Sequence, residues 1–326
     1  MTRVLRTAGF RPGDRVFQGH SYGMWIGGPA VDIGVQALGA TNFPIGPGRA
    51  ELAVAWMRDH AYTACFMSPL WLIHLAKVAV EQGIDPKTDW KSLRIGAVGG
   101  MSVTPGLLDA IAVPMADGFQ SQVTYGTTEA GGPIIGASCV HSRDDYEMHL
   151  INDDTILAEI LDPDTLEPVG PGEVGEVVIT TLDKEASPVL RWRTRDLVRL
   201  SKAPYDCPCG RTGLPRFSLI IGRSDDMLKI RGTIVFPSQV EDVITSTTGA
   251  VADAWQIYVD KKELELDGAT VAVERKRGAK LSPDEVAAAI ARTLHARIGV
   301  RFDVECHEEG TLPRYDGKAV RVLIRE

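Results

Sequence analysis

Five stretches of the chain combine side chains in ways that suit chemistry. Tyr125-Gly126-Thr127-Thr128-Glu129 follows a short apolar run. A glycine beside two hydroxyls and a carboxylate suits a nucleotide, because the hydroxyls donate to phosphate and the Glu can hold Mg²⁺. A polar turn leaving a strand has the same composition, and the pentapeptide alone leaves both open. Cys207-Pro208-Cys209-Gly210 sets two thiols in a Pro/Gly turn, which suits a metal knuckle and equally a pair of reduced, unliganded thiols. Three charged stretches complete the set: Arg193-Thr194-Arg195-Asp196, the run 222–232, and Thr311-Leu312-Pro313-Arg314 continuing to Gly317-Lys318. Taken singly, each reads as a solvated face.

Positioning such residues takes a scaffold, and length and charge bound what that scaffold is. The 326 residues suggest about two domains at roughly 150 residues each. The formal net charge of −8 and the absence of a Lys/Arg run argue against nucleic acid as a partner. Mean hydropathy is −0.03, and no stretch reaches the ~18 apolar residues of a membrane span. The opening MTRVLRTAGFRPGD lacks the apolar core of a signal peptide, so a cytoplasmic protein is expected. Five cysteines are too few for a disulfide framework in this length.

The first part of the chain alternates apolar runs with helical spacing. Strands are expected over 14–20, 41–45, 62–67, 93–98 and 122–125, and helices over 31–38, 49–60, 70–82 and 105–111. That alternation predicts a mostly parallel, doubly wound α/β sheet, with ligand loops at the carboxyl ends of its strands. After about Cys139 the texture changes to antiparallel strands over 147–161, 175–181 and 189–200, broken by DPDT and GPGEVG. A third region begins near Gly222, with helices over 237–246 and 284–298 and strands over 255–260 and 270–273. Ser282 and Glu285 are spaced for a capping box.

In this order and spacing, RWRTRDL, CPCGRTG, GRSDDMLKIRG, VFPSQVE and TLPRYDGKA resemble the adenylate-forming superfamily of acyl-CoA synthetases, and within it the phenylacetate-CoA ligase branch. The resemblance covers essentially the whole chain and is most specific from Tyr125 onward. It implies a body over 1–221, with a β-rich subdomain, and a small α+β lid over 222–326 hinged at Asp225. It also implies ATP-dependent activation of a carboxylic acid, aromatic or arylacetic by branch, to an acyl adenylate that passes to coenzyme A.

By the same resemblance, Thr128 faces the α-phosphate and Glu129 holds Mg²⁺. Tyr125, Gly126, Thr127, Gly99 and Gly100 line the nucleotide site, and Asp196 pairs with the ribose hydroxyls. Arg223 approaches the phosphate, and Lys318 bridges carboxylate and α-phosphate during adenylation. Met101 lies in the loop that lines the acyl site, and from the residues themselves His20, Tyr22 and Trp25 suit either an acyl pocket or ordinary packing. Met101 stands where many members carry an acidic residue. Members also open with a Ser/Thr/Gly-rich phosphate loop, and this chain resembles the part that follows it. A shortened enzyme, a partner chain or homo-oligomer that completes the site, and a non-catalytic adenylate-binding homologue are the resulting alternatives. An amine or carrier-protein acceptor is a further alternative to coenzyme A.

The branch often completes a CxC metal site with an upstream cysteine and histidine. That implies a structural Zn²⁺ held by Cys139, His149, Cys207 and Cys209, with His141 as the rival fourth ligand. His74 is expected on a helix with no ligand role, Cys65 as a small core residue, and Cys306 in a lid strand.

Overall fold

The computed structural model describes residues 1–231, 233–259, 266, 268–314 and 320–325. The chain divides into two compact units, Met1–Val103 with Leu108–Ile220 and Thr104–Leu107 with Ile221–Glu326. In chain order the first part contains α1 (Thr2–Thr7), β1 (Arg15–Gln18), α2 (Gly27–Leu38), β2 (Thr41–Pro44), α3 (Ala50–Asp59), β3 (Ala64–Met67), α4 (Pro69–Glu81), α5 (Pro86–Asp89), β4 (Ile95–Val98), α6 (Pro105–Ala112) and β5 (Gln120–Thr127). There follow β6 (Gly132–Ala137), β7 (Glu147–Leu150), β8 (Ile156–Leu161), β9 (Val174–Thr181), β10 (Trp192–Arg199) and β11 (Arg216–Ser218).

One sheet runs in the order β11-β7-β6-β5-β4-β3-β1-β2. Its pairings are parallel from β2 to β5 and antiparallel from β5 to β11. The central strands β3 and β4 are buried at every position, as expected for strands covered on both faces. Alternate residues go to opposite cores. Val16, Ala64, Phe66 and Ile95 pack with Leu5, Val31 and Val35, whereas Phe17, Cys65, Met67 and Val98 pack with Val54, Met57, Leu72 and Leu75. Strands β8, β9 and β10 form a separate antiparallel sheet.

Two expected boundaries need correction. The strand read over 147–161 is two strands, because Asn152 takes a positive φ of 65° and donates its side-chain amide to the Ile134 carbonyl at 2.7 Å. Helix α2 starts at Gly27, four residues before the expected 31, through a glycine pair to which apolar periodicity is blind. Gly28 is required there by close approach. A Cβ on it would lie 2.4 Å from the Ser21 carbonyl oxygen, and its own carbonyl accepts from Gln18 at 3.1 Å.

The second part contains β12 (Gly222–Arg223), β13 (Leu228–Ile230), β14 (Thr233–Val235), α7 (Pro237–Ser246), β15 (Ala250–Val259), β16 (Thr270–Arg275), α8 (Pro283–Ile298), β17 (Asp303–Glu308) and β18 (Val322–Ile324). A sheet in the order β17-β16-β15-β18 packs Trp255, Ile257, Val271 and Val273 with Val240 and Ile244 of α7 and Val286, Ile290 and Leu294 of α8. The Ser282–Glu285 capping box is present, with backbone-to-side-chain distances of 3.2 and 2.7 Å. Among the described residues no helix is long and apolar enough to cross a membrane.

Glu274 of β16 is fully buried. Its carboxylate accepts from Gly310 N at 2.9 Å, Leu312 N at 2.6 Å and the Arg314 guanidinium at 2.7 Å. Burial opposes its charge, but these donors outweigh burial and hold the carboxyl below its ordinary value of 4.5. The stability this gives is therefore present above the ordinary glutamate range and is lost as pH falls through the lowered value. Glu241 has the opposite sign: burial pushes it up to about 7, so its contribution is lost as pH rises through that value. Calorimetry should show Glu274→Gln lowering the melting temperature at pH 6, by on the order of 5 °C, and flattening the acid limb below pH 4.

Candidate active site and candidate metal centre

Strand β5 delivers Tyr125, buried, to the carboxyl edge of the parallel strands and then turns tightly into β6. Gly126 admits no side chain, since a Cβ there would lie 2.0 Å from the Gly132 carbonyl oxygen. The Thr127 hydroxyl accepts from Ala130 N at 3.1 Å, and the Thr128 carbonyl accepts from Gly131 N at 3.0 Å. The side chains of Thr128 and Glu129 are left exposed, and Lys184 donates to the Glu129 carbonyl at 2.9 Å.

Asp196 reaches the same place from β10. The register between β9 and β10 shifts between Arg193 and Leu197, and Arg195 takes a φ of 68°. Glu176 of β9, with a side chain only 1% exposed, locks this bulge. Its carboxylate accepts from Arg195 N at 3.0 Å and from Arg193 at 2.6 Å. Thr194 donates to the Val177 carbonyl at 2.7 Å and accepts from Asp196 N at 3.1 Å. The bulge re-aims Asp196, whose carboxylate accepts from the Tyr125 hydroxyl at 2.8 Å. The Tyr125 ring is backed edge-on by Phe217 at 6.3 Å. Glu176 carries no motif in the sequence, and within the Arg193–Asp196 stretch only its contacts show what Thr194 does.

The end of β4 supplies a glycine pair. A Cβ on Gly99 would lie 2.6 Å from the Thr124 carbonyl oxygen, and Gly100 has a φ of 84°. His20 reaches the Gly100 loop, its Cε1 lying 3.4 Å from where a Gly100 Cβ would be. Burial lowers His20 to about 4, so its imidazole is neutral near pH 7. Met101 is half-buried beside this loop, whereas Tyr22 and Trp25 stand on the exposed loop before α2, with Trp25 67% exposed.

In the second unit, Arg223 forks onto Asp225 at 2.9 and 2.8 Å, so the residue read as a phosphate contact and the residue read as a hinge are ion-paired. Lys318 lies outside the described residues.

Cys139, which follows β6, His149 of β7, and Cys207 and Cys209 between β10 and β11 bring their ligand atoms within 4.8 Å of one another. The Cys139 and Cys207 sulfurs are 3.8 Å apart, and Cys209 Sγ lies 3.4 Å from His149 Nε2. A tetrahedral zinc ion, with bonds of about 2.3 Å to sulfur and 2.0 Å to nitrogen, sets such edges at about 3.8 and 3.5 Å. His149 lies in this group, whereas His141 is exposed and outside it. Burial opposes the Cys139 thiolate, but hydrogen bonds from His149 and Ser142 bring it down to about 5. Burial, together with the neighbouring Cys209 and Cys139, pushes Cys207 up to about 12. Three sulfur donors and one imidazole nitrogen converging at these distances are the donor set of a structural zinc site. His74 is exposed, Cys65 is buried in the core, and Cys306 is half-buried in β17.

Two family models match the chain: AMP-binding enzyme over residues 2–182 and AMP-binding enzyme C-terminal domain over residues 232–325. The phenylacetate-coenzyme A ligase of Pseudomonas putida is 34% identical over 99% of this chain and 71% of its own length. That of Thermus thermophilus is also 34% identical, over 99% and 74%. The crystal structure of 2-hydroxyisobutyryl-CoA ligase in the postadenylation state superposes with a TM-score of 0.88 at 27% identity, covering 99% of this chain and 68% of that one. The chain belongs to the AMP-binding enzyme family, within the adenylate-forming superfamily. It is an AMP-forming acid–thiol ligase, and the phenylacetate-coenzyme A ligases are among its relatives. Enzymes of this class activate a carboxylic acid with ATP and transfer the acyl group to coenzyme A.

Proposed function

We propose that this ligase activates an aromatic or arylacetic acid, and that the Tyr125–Asp196 pair marks its nucleotide site. The observation that carries the reading is the 2.8 Å hydrogen bond from Tyr125 to Asp196, beside the Thr127-Thr128-Glu129 turn at the carboxyl edge of the sheet. The phenylacetate specificity named for the sequence relatives supports the acid class.

In the first half-reaction a carboxylate oxygen attacks the α-phosphorus of ATP. The acyl–O–P bond forms, the Pα–O–Pβ bond breaks, and pyrophosphate leaves. Asp196 accepts from the ribose hydroxyls, which fixes the nucleotide in line. Thr128 donates to the α-phosphate, and Gly99 and Gly100 let the backbone approach the adenine. Lys318 brings carboxylate and α-phosphate together against their mutual repulsion. Glu129 would hold Mg²⁺, which neutralises phosphate charge when bound. In the second half-reaction the coenzyme A thiol attacks the acyl carbonyl and AMP leaves. Rotation about Asp225 withdraws Lys318 between the two steps and opens a path for the acceptor thiol. His20, neutral, and Met101 line the acyl group, with Tyr22 and Trp25 at its mouth.

The Cys139, His149, Cys207 and Cys209 set would hold a structural Zn²⁺ that closes the loops after β6 and β10 onto each other. Elemental analysis should find about one zinc per chain, and Cys207→Ser should release it and lower the melting temperature.

Carboxylate-dependent ATP–pyrophosphate exchange over a panel of aryl and alkyl acids tests the reaction. Exchange is expected with aryl or arylacetic acids. Lys318→Ala should lower it at least 100-fold while thioester formation from supplied acyl adenylate persists. Exchange at the wild-type rate in that variant would remove Lys318 from the chemistry.

A further inference from the structure

The hairpin of β9 and β10 that delivers Asp196 also grips the Tyr125–Glu129 turn at its far end. From the connection between the two strands, Lys184 sends its amine to the Glu129 carbonyl at 2.9 Å. The base of that connection is fixed. Thr181 N donates to the Val189 carbonyl at 3.0 Å, and Val189 N donates back to the Thr181 hydroxyl at 3.0 Å. Leu182 N donates to the Thr155 carbonyl at 2.9 Å, and Lys184 stands just beyond this last bond. One hairpin therefore holds the turn twice, at Tyr125 through Asp196 and at Glu129 through Lys184.

The second grip falls on a single peptide plane. The Glu129–Ala130 peptide accepts from Lys184 at its carbonyl and donates to the Thr127 hydroxyl at its N–H, at 3.1 Å. Because the peptide is planar, these two bonds together fix the backbone on which the Glu129 side chain is mounted. The turn needs such support. Gly131 and Gly132, which follow it, take φ of 97° and 128°, where only glycine moves freely. A cavity of about 510 Å³, lined in part by Ala130, Gly131, Ile134, Thr155, Thr181 and Lys184, lies between the turn and the hairpin. Packing does not brace the turn on that side, and Lys184 spans it. Positional errors of about 1 Å at a reacting site can cost on the order of 100-fold in rate.

We propose that Lys184 is a positioning residue of the adenylation half-reaction, a strut from the β9–β10 hairpin to the Glu129 carbonyl that keeps the Glu129 carboxylate aimed at the metal on the ATP phosphates. The inference rests on the assignment of Glu129 to Mg²⁺. Thioester formation has no triphosphate to neutralise, so the strut bears on one half-reaction. A role in general stability would affect both.

The test compares Lys184→Met and Glu129→Gln with the wild type in the full chain. Pyrophosphate exchange is measured against Mg²⁺ concentration with the acid that the wild type exchanges fastest, and thioester formation with the corresponding supplied adenylate and coenzyme A. Hydrogen exchange is followed without ligands at the amides of Ala130, Gly131, Thr181 and Val189, which needs no activity. Lys184→Met should raise the Mg²⁺ concentration for half-maximal exchange by roughly 10-fold, and change the KM for the acid and thioester formation by less than about twofold. It should also speed amide exchange at Ala130 and Gly131, while Thr181 and Val189, bonded within the hairpin, keep their wild-type rates. An Mg²⁺ dependence shifted in Glu129→Gln but not in Lys184→Met, an equal fall in both half-reactions, or unaltered amide exchange at Ala130 and Gly131 would each overturn the strut. Wild-type Mg²⁺ dependence in Glu129→Gln would instead overturn the assignment of Glu129.

Discussion

The charge on Glu176 is the constraint on which the site depends. A carboxylate buried to this degree is tolerable only with its oxygens satisfied, and here the donors are Arg193 and the backbone of Arg195. Satisfying it forces the β10 backbone through a positive φ at Arg195, which a β-strand would otherwise avoid. The local cost is offset by three further hydrogen bonds: two through Thr194, and the one that Asp196 accepts from Tyr125. Two sheets with no strand in common thereby present one acidic group at one edge.

The candidate metal centre acts on the same junction from the other side. Cys139 and His149 belong to the β6–β7 limb, and β6 pairs with the strand that bears Tyr125. Cys207 and Cys209 lie in the connection that leaves β10, the strand that bears Asp196. A cation proposed for these four donors would cross-link the two limbs about a chain-length of 68 residues between Cys139 and Cys207, where loop-closure entropy favours a staple. Phe217, just past this connection, backs the Tyr125 ring, so packing and ligation support the same side chain.

The fold was legible where physics is local. Runs such as Ala64–Met67 and Ile95–Val98 are apolar at every position because they are covered on both faces, and that pattern can be read without coordinates. Ser282 and Glu285 announce a helix start for the same reason. What was not legible depends on partners distant in sequence. Spacing cannot choose between His141 and His149, because the answer is set by the pairing of β7 with β6 and β11. Nor can it show that Glu147–Leu150 and Ile156–Leu161 are separate strands, since the break is made by the backbone of Asn152. Glu176, Glu274 and Glu241 look like ordinary surface charges in the sequence; burial alone distinguishes them. The site motifs were legible through resemblance, and their geometry was not.

A crystal structure of the chain with AMP would test most directly whether the locked bulge aims Asp196 at a nucleotide. If it does, both ribose hydroxyls will lie within hydrogen-bonding distance of the Asp196 carboxylate, with Glu176 still bound to Arg193 and to the Arg195 amide. AMP bound with its ribose turned away from Asp196, or bound with the bulge flattened into regular strand, would contradict it.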